Sequence, residues 1–168
     1  MATSKRRNAL GRPEVEPHDA RAARVVALDA LARRDHASDD LRRKLLEKGY
    51  DAAIVAPLLD ALRAEKLLDD KRYTENFVAY HAARGQGPLR VRAELRRHGL
   101  MGDVVEECLD AFPDWDAQLQ RARQKKFGAK PPSNYAEKQR QVRFLGYRGF
   151  TSAQIRSALG FDIDLDAD

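Results

Sequence analysis

A chain of 168 residues with 43% hydrophobic content can bury a core, and with charged residues at 34% and aromatics at 7% that core must be aliphatic under a densely charged surface. This composition argues against disorder throughout. No run approaches the roughly eighteen apolar residues of a membrane span, and the basic stretch Met1 to Arg12 lacks the apolar segment of a signal peptide. A single cysteine, Cys108, rules out an internal disulfide, so a reducing, cytoplasmic setting is expected.

In chain order, apolar periodicity and turn signals predict an all-α protein. Helices are expected at about 19–34, 39–48, 52–66, 70–84, 88–98, 102–112, 115–127, 134–148 and 152–160, with ends uncertain by about two to four residues. Ser38, followed by Asp39 and Asp40, is expected to cap the second helix, where a side-chain oxygen satisfies a free N–H and acids suit the positive end of the dipole. The fifth helix follows the break Gly85-Gln86-Gly87 with Pro88 in the first helical position. The eighth follows Lys130-Pro131-Pro132-Ser133, and Asn134 with Glu137 makes a capping-box pattern. The third helix of each triple begins near Asp51, Gly102 and Thr151.

The chain resembles itself at an offset of 50 residues, without a gap: Leu45, Leu95 and Leu145 coincide, as do Gly49, Gly99 and Gly149, and Leu59, Leu109 and Leu159. Each glycine follows an apolar-periodic segment, where a left-handed residue closes a helix at least steric cost. With the glycine at C′ of a Schellman turn, the motif pairs Leu45 with Tyr50, Leu95 with Leu100 and Leu145 with Phe150. The expected organisation is a basic segment (1–18), three-helix repeats at 19–68, 69–112 and 113–160, and an acidic segment (161–168). One such repeat has a small core, so the three should stack as an elongated, curved helical array; a single globular bundle is the alternative. Nothing demands more than a monomer.

The net charge of +5 is unevenly placed. The third repeat holds ten bases against three acids, whereas the segment after it has four Asp and no base. The candidate contacts for a polyanion are therefore Arg121, Arg123, Lys125, Lys126, Lys130, Lys138, Arg140, Arg143 and Arg148, joined by Arg42 and Arg43 in the first repeat and by Arg92 and Arg96 in the second. Acids balance the bases in the first two repeats, where a solvated helix face explains them equally well. Tyr135, Tyr147 and Phe150 lie among the bases of the third, Phe150 as the turn's hydrophobic partner rather than a stacking platform.

Catalysis needs a nucleophile with its base, paired carboxylates, a metal cluster or a phosphate loop, and none is evident. His18, His36, His81 and His98 stand singly, without zinc-ligand spacing to one another or to Cys108, and no cofactor or metal is expected. Cys108 reads as a small core residue on one face with Val104. The reading is a binding protein, not an enzyme.

Three stretches carry a family likeness. They are Arg33-Arg34-Asp35-His36-Ala37-Ser38-Asp39-Asp40-Leu41 with Lys44-Leu45 and Lys48-Gly49; Leu67-Leu68-Asp69-Asp70-Lys71-Arg72-Tyr73 with Phe77-Val78, Gly85-Gln86-Gly87-Pro88, Glu94-Leu95 and Gly99; and Arg143-Phe144-Leu145-Gly146-Tyr147-Arg148-Gly149-Phe150 with Ile155 and Leu159. In these the chain resembles the RecX family over residues 20–160, although Asp40 stands where the family usually has Glu. The resemblance implies tandem three-helix repeats, binding in the groove of the RecA recombinase filament on DNA, and restraint of recombination and of the SOS response to DNA damage. It supplies no residue-level contacts. Direct binding of single- or double-stranded DNA through the third repeat is the alternative.

Overall fold

The computed structural model describes residues 16–160, so the expected basic segment is described only at 16–18 and the acidic segment 161–168 lies outside. Among the described residues there are nine α-helices and no strand: α1 (Ala20–Arg33), α2 (Ser38–Glu47), α3 (Ala52–Ala64), α4 (Asp70–Ala83), α5 (Pro88–Arg97), α6 (Asp103–Ala111), α7 (Trp115–Phe127), α8 (Tyr135–Tyr147) and α9 (Ser152–Leu159). None is long and apolar enough to cross a membrane. The chain forms two compact units, divided between Asp70 and Lys71.

The three recurring glycines do what the spacing demands. Gly49, Gly99 and Gly149 take φ of 96°, 77° and 87°, in the left-handed region where a Cβ is penalised. The N–H of Tyr50, Leu100 and Phe150 donates to the carbonyl of Leu45, Leu95 and Leu145 at 3.2, 3.0 and 3.2 Å. Each glycine N–H in turn donates to residue 46, 96 or 146 at 2.8–3.0 Å, which completes a Schellman turn in every copy. All six apolar partners are buried, so each turn also anchors the core.

In the first unit α1, α2 and α3 pack pairwise. Helix α1 offers Ala23, Ala27 and Ala30 on one stripe; small side chains let its backbone approach closely, and Leu41, Leu45, Val55, Leu59 and Leu62 fill the space opposite. Asp19 and Asp51 cap α1 and α3 through side-chain bonds to Ala22 N–H (2.9 Å) and Ala53 N–H (2.8 Å).

The capping of α2 departs from expectation. Ala37 holds the N-cap position without a side-chain bond, and Ser38 is the first helical residue. Its N–H donates to the Asp70 carboxylate at 2.8 Å, while its hydroxyl accepts from Arg63 Nε at 3.2 Å. The capping carboxylate comes from 32 residues along the chain, which no local pattern announces.

His36, beside this cap, is 4% exposed, and its Nδ1 has no hydrogen-bond partner. Burial, followed by the nearby Arg34 and Lys44, pushes its pKa below the ordinary 6.5. Below pH 6.5 the unfolded chain therefore takes up a proton that the folded chain resists, so the stability present above that pH is lost as pH falls. Urea midpoints of the first unit should drop between pH 7.5 and 5.5, and the drop should shrink in His36→Gln. An equal drop in both proteins would contradict this assignment.

In the second unit α5 packs on α6, and α7, α8 and α9 pack pairwise around Leu119, Val142, Leu145, Phe150, Ile155 and Leu159. Cys108 is buried as expected, and burial raises its thiol pKa, so it is held as the thiol. Its neighbours on the buried face are Val105 and Leu109; Val104, placed with it by the sequence reading, is instead 42% exposed, because the face turned inward lies one residue further along. Thr151 and Gln154 form a full capping box at α9. At α8 the box is staggered: Asn134 accepts from Glu137 N–H at 2.9 Å, but Glu137 accepts from Ser133 N–H and hydroxyl, which holds its carboxyl below the usual range.

Copies two and three are joined through main chain. Gly87 N–H donates to Arg148 C=O at 2.8 Å, and Leu89 N–H to Gly149 C=O at 3.0 Å. A Cβ on Gly87 would strike the Gly149–Phe150 backbone, and one on Gly149 would strike the backbone and Cβ of Arg90. The break before α5 thus sits on the turn after α8, and neither Gly87 nor Gly149 has room for a side chain of its own.

Candidate functional site

This main-chain joint shapes a cleft. Gly85, left-handed at φ 75°, ends α4 so close to α7 that a Cβ there would lie 3.1 Å from the Ala122 Cβ. Beside that contact opens a cavity of about 300 Å³ lined by Ala83, Arg84 and Gly85 after α4, Gln118, Arg121, Ala122, Lys125 and Lys126 on α7, and Phe144 and Arg148 on α8. Five of these residues are cationic and none is acidic. Without a carboxylate to neutralise them, the bases superpose their fields over one opening.

Helical spacing explains the convergence. Arg121 and Lys125 are four apart and share a face of α7, with Lys126 at its edge. Arg148 follows the last turn of α8; its Nη1 donates to Arg84 C=O at 3.2 Å, and its guanidinium lies 5.2 Å from the Phe144 ring centre. That bond fixes Arg148 against the end of α4 while Phe144 supplies an apolar wall. The sequence reading overlooked Arg84; its signal was a base ending a helix directly before a glycine break, where the helix dipole favours positive charge.

Of the candidate contacts, Arg121, Lys125, Lys126 and Arg148 meet at this cleft. Lys130 and Arg140 line a separate concavity of about 360 Å³ that also contains Glu137. Arg143 is exposed on α8 and Lys138 is half-buried there. Arg92 is committed to a two-pronged bond with Glu106 at 2.8 and 2.6 Å, which raises the guanidinium pKa and lowers that of the carboxyl. Arg96 is exposed on α5. In the first unit Arg42 and Arg43 pair along their own helix with Asp39 (3.3 Å) and Asp40 (2.6 Å).

Arg123 must be removed from the set of surface contacts. It is 7% exposed and donates to Gln120 Oε1 and to the carbonyls of Lys130 and Ala129 at 3.1, 3.2 and 3.3 Å. Leu119 and Arg123 share the inward face of α7, so this guanidinium ties the α7–α8 loop to its helix. Arg123→Ala strands those carbonyls and is expected to cost about 1.5–3 kcal/mol, as lost bonds to a charged group do. Chemical denaturation beside the exposed Arg156→Ala checks this; equal small losses in the two proteins would remove its structural role.

Of the exposed aromatics, Tyr147 is 80% exposed with the Arg90 guanidinium 5.7 Å from its ring centre, and Tyr135 is 73% exposed. Phe150, only 2% exposed, belongs to the turn and core as expected. Among the described residues no cluster of His, Cys, Asp and Glu could hold a metal ion.

Nine helices among the described residues, in three repeating units, with an acid-free cationic cleft in the second compact unit, define a helical-repeat protein. Family descriptions for the first, second and third three-helix domains of RecX match residues 23–62, 69–109 and 114–159. The regulatory protein RecX of Halorhodospira halophila is 46% identical over 138 residues, spanning 82% of this chain and 86% of that protein. That of Pseudomonas entomophila is 40% identical over 135 residues, 80% and 87% of the two chains. A crystal structure of RecX from Lactobacillus salivarius matches with a TM-score of 0.76 at 17% identity, over 84% of this chain and 95% of the other. Another, of a regulatory protein RecX, matches with a TM-score of 0.71 at 22% identity, over 84% and 71%. The chain belongs to the RecX family.

Proposed function

We propose that this protein regulates the RecA recombinase by binding its filament on DNA, mainly as an inhibitor, and so limits recombination and the SOS response. The observation that carries the reading is the convergence of Arg84, Arg121, Lys125, Lys126 and Arg148 on an acid-free cleft, in a chain whose named relatives are regulatory proteins. A filament presents phosphates and protein carboxylates, and a cationic cleft suits either. No step of bond making is assigned to the protein; it acts by occupancy. Arg140, Arg143, Lys130 and Lys138 are further candidates on the third copy, outside the cleft, with Arg96 on the second and Arg42 and Arg43 on the first.

The test is addition of the protein to a preformed filament, with ATP hydrolysis and strand exchange measured over a concentration series. Both rates should fall; no change at saturation refutes the reading. Direct capture of DNA is the second reading, favoured by Tyr147, exposed beside Arg90 and able to stack on an unpaired base. It requires salt-dependent binding to bare DNA, whereas tight binding to recombinase alone, indifferent to the cleft's charge, excludes it.

A further inference from the structure

The concavity between the end of α7, the loop after it and α8 holds an unanswered acceptor. Gln141 lines it and is 4% exposed, and its Oε1 is buried without a hydrogen-bond partner. A buried acceptor left unpaired is costly, and a leucine of similar size would remove the cost, so packing alone gives no reason for a carboxamide here. Glu137 stands one turn earlier on the same face of α8. Its bonds from the Ser133 N–H and hydroxyl both fall on Oε2 at 2.9 Å, which leaves Oε1 able to accept. Those bonds, and after them the charge of Arg140, hold this carboxyl ionised.

Two acceptors one helical turn apart thus face a single opening. Around them stand the cations Lys130 and Arg140, with Pro131 and the half-buried Phe127 as apolar walls. The Phe127 ring is held edge to face by Phe144, with ring centres 5.3 Å apart. A volume of about 360 Å³ suits a small ligand. Paired acceptors call for a planar group with two donors on one edge, the ring for a flat face, and the cations for acceptors or negative charge alongside. Among nucleobases guanine has this pattern: N1–H and the N2 amino group donate along one edge, and O6 and N7, which suit Arg or Lys, accept on the next. Thymine brings one donor, and adenine and cytosine one amino group each. An arginine side chain also carries paired donors and a flat face, but Lys130 and Arg140 repel a cation.

We propose that this pocket seats a guanine base, with Gln141 and Glu137 receiving its donor edge, Phe127 against its face, and Lys130 or Arg140 on its acceptors or its phosphate. The base arrives on a free nucleotide or unpaired on a single strand; in the second case the inference deepens the direct-DNA reading and rests on it. The seat shares no lining residue with the cationic cleft.

The test titrates the full chain, with main-chain and side-chain amide resonances recorded, against four probes. They are deoxyguanosine monophosphate, a thymidine pentanucleotide with guanine at its centre, the same strand with an abasic centre, and acetylarginine amide. The Gln141 carboxamide, identified by its loss in Gln141→Leu, should shift with the guanine strand, which should bind roughly tenfold tighter than the abasic one. Gln141→Leu should keep or raise the urea midpoint, because it removes the unpaired acceptor, and should abolish the tenfold gain. Glu137→Gln retains an accepting oxygen for Ser133 and should cut the gain severalfold, which keeps the test decisive if the leucine protein unfolds. A gain that survives both changes overturns the proposal. Shifts from the monophosphate without a gain on the strand uphold the seat and assign it to a free nucleotide; if neither strand binds as well, the direct-DNA reading fails and the seat stands. No shift from the monophosphate and no gain on the strand defeats the seat, and strand binding without that gain leaves the DNA reading intact. Acetylarginine amide shifting Gln141 where the monophosphate does not gives the pocket to a cationic peptide and likewise overturns the proposal.

Discussion

Gly149→Ala should destabilise the second unit by roughly 2–5 kcal/mol, the sum of a left-handed backbone penalty and overpacking against a neighbouring main chain. The first term comes from φ at 87° and the second from Arg90, whose backbone and Cβ occupy the space a methyl group would need. Gly160→Ala separates the two. Gly160 is also left-handed, at φ 71°, but no described atom lies within 4 Å of a Cβ built there, so that change should cost only about 1–2 kcal/mol. Urea denaturation of the two proteins measures the difference, and indistinguishable midpoints would mean that the close approach of the two copies is not maintained in solution.

The other large effect is on binding. Arg121→Ala, Lys125→Ala and Lys126→Ala together remove three of the five bases of the cleft and are expected to weaken DNA binding at low salt by roughly one to two orders of magnitude. Each phosphate contact contributes about 0.9 to the slope of log K against log salt on duplex DNA, so the triple change should flatten that slope by up to about 2.7. Neutralising Arg42 and Arg43, which already have carboxylate partners in α2, should change it much less. Anisotropy titrations at several salt concentrations supply both quantities. An unchanged slope in the triple variant would exclude the cleft as a phosphate seat, and unchanged inhibition of strand exchange would separate it from the filament as well.

The helices and their closing turns were legible because their determinants lie within a few residues of one another. A left-handed glycine, a leucine four positions before it and an apolar residue after it make one local unit, and all three copies carry it. Caps were legible to the same distance. Asn134 with Glu137 is a pattern of four residues and was read, Thr151 with Gln154 is another that was not, and the N–H of Ser38 is satisfied by Asp70 from another part of the chain. Left-handed Lys66, at φ 58°, closes α3 without the glycine that would have signalled it.

For the candidate site, the sequence located the charge in the third copy but not its direction. Counting bases treats Arg121, Arg123 and Lys125 alike; the turn of the helix points Arg123 inward with Leu119 and leaves the other two at the cleft. That stripe was available in the spacing and was hidden by the charge of the residue. Arg84 was hidden differently: its neighbours across the cleft come from α7 and α8, and long-range contacts, Gly85 with Ala122 and Arg148 with the Arg84 carbonyl, bring them together.

The bond from Ser38 to Asp70 bears on how this protein can be cut. A fragment ended at residue 68, where sequence similarity between copies suggests a natural border, would keep every apolar partner of its bundle. It would nonetheless present an uncapped α2, because the closing carboxylate lies two positions beyond the cut. During synthesis the same holds in time: α2 acquires this cap only when the ribosome has passed the first residue of α4.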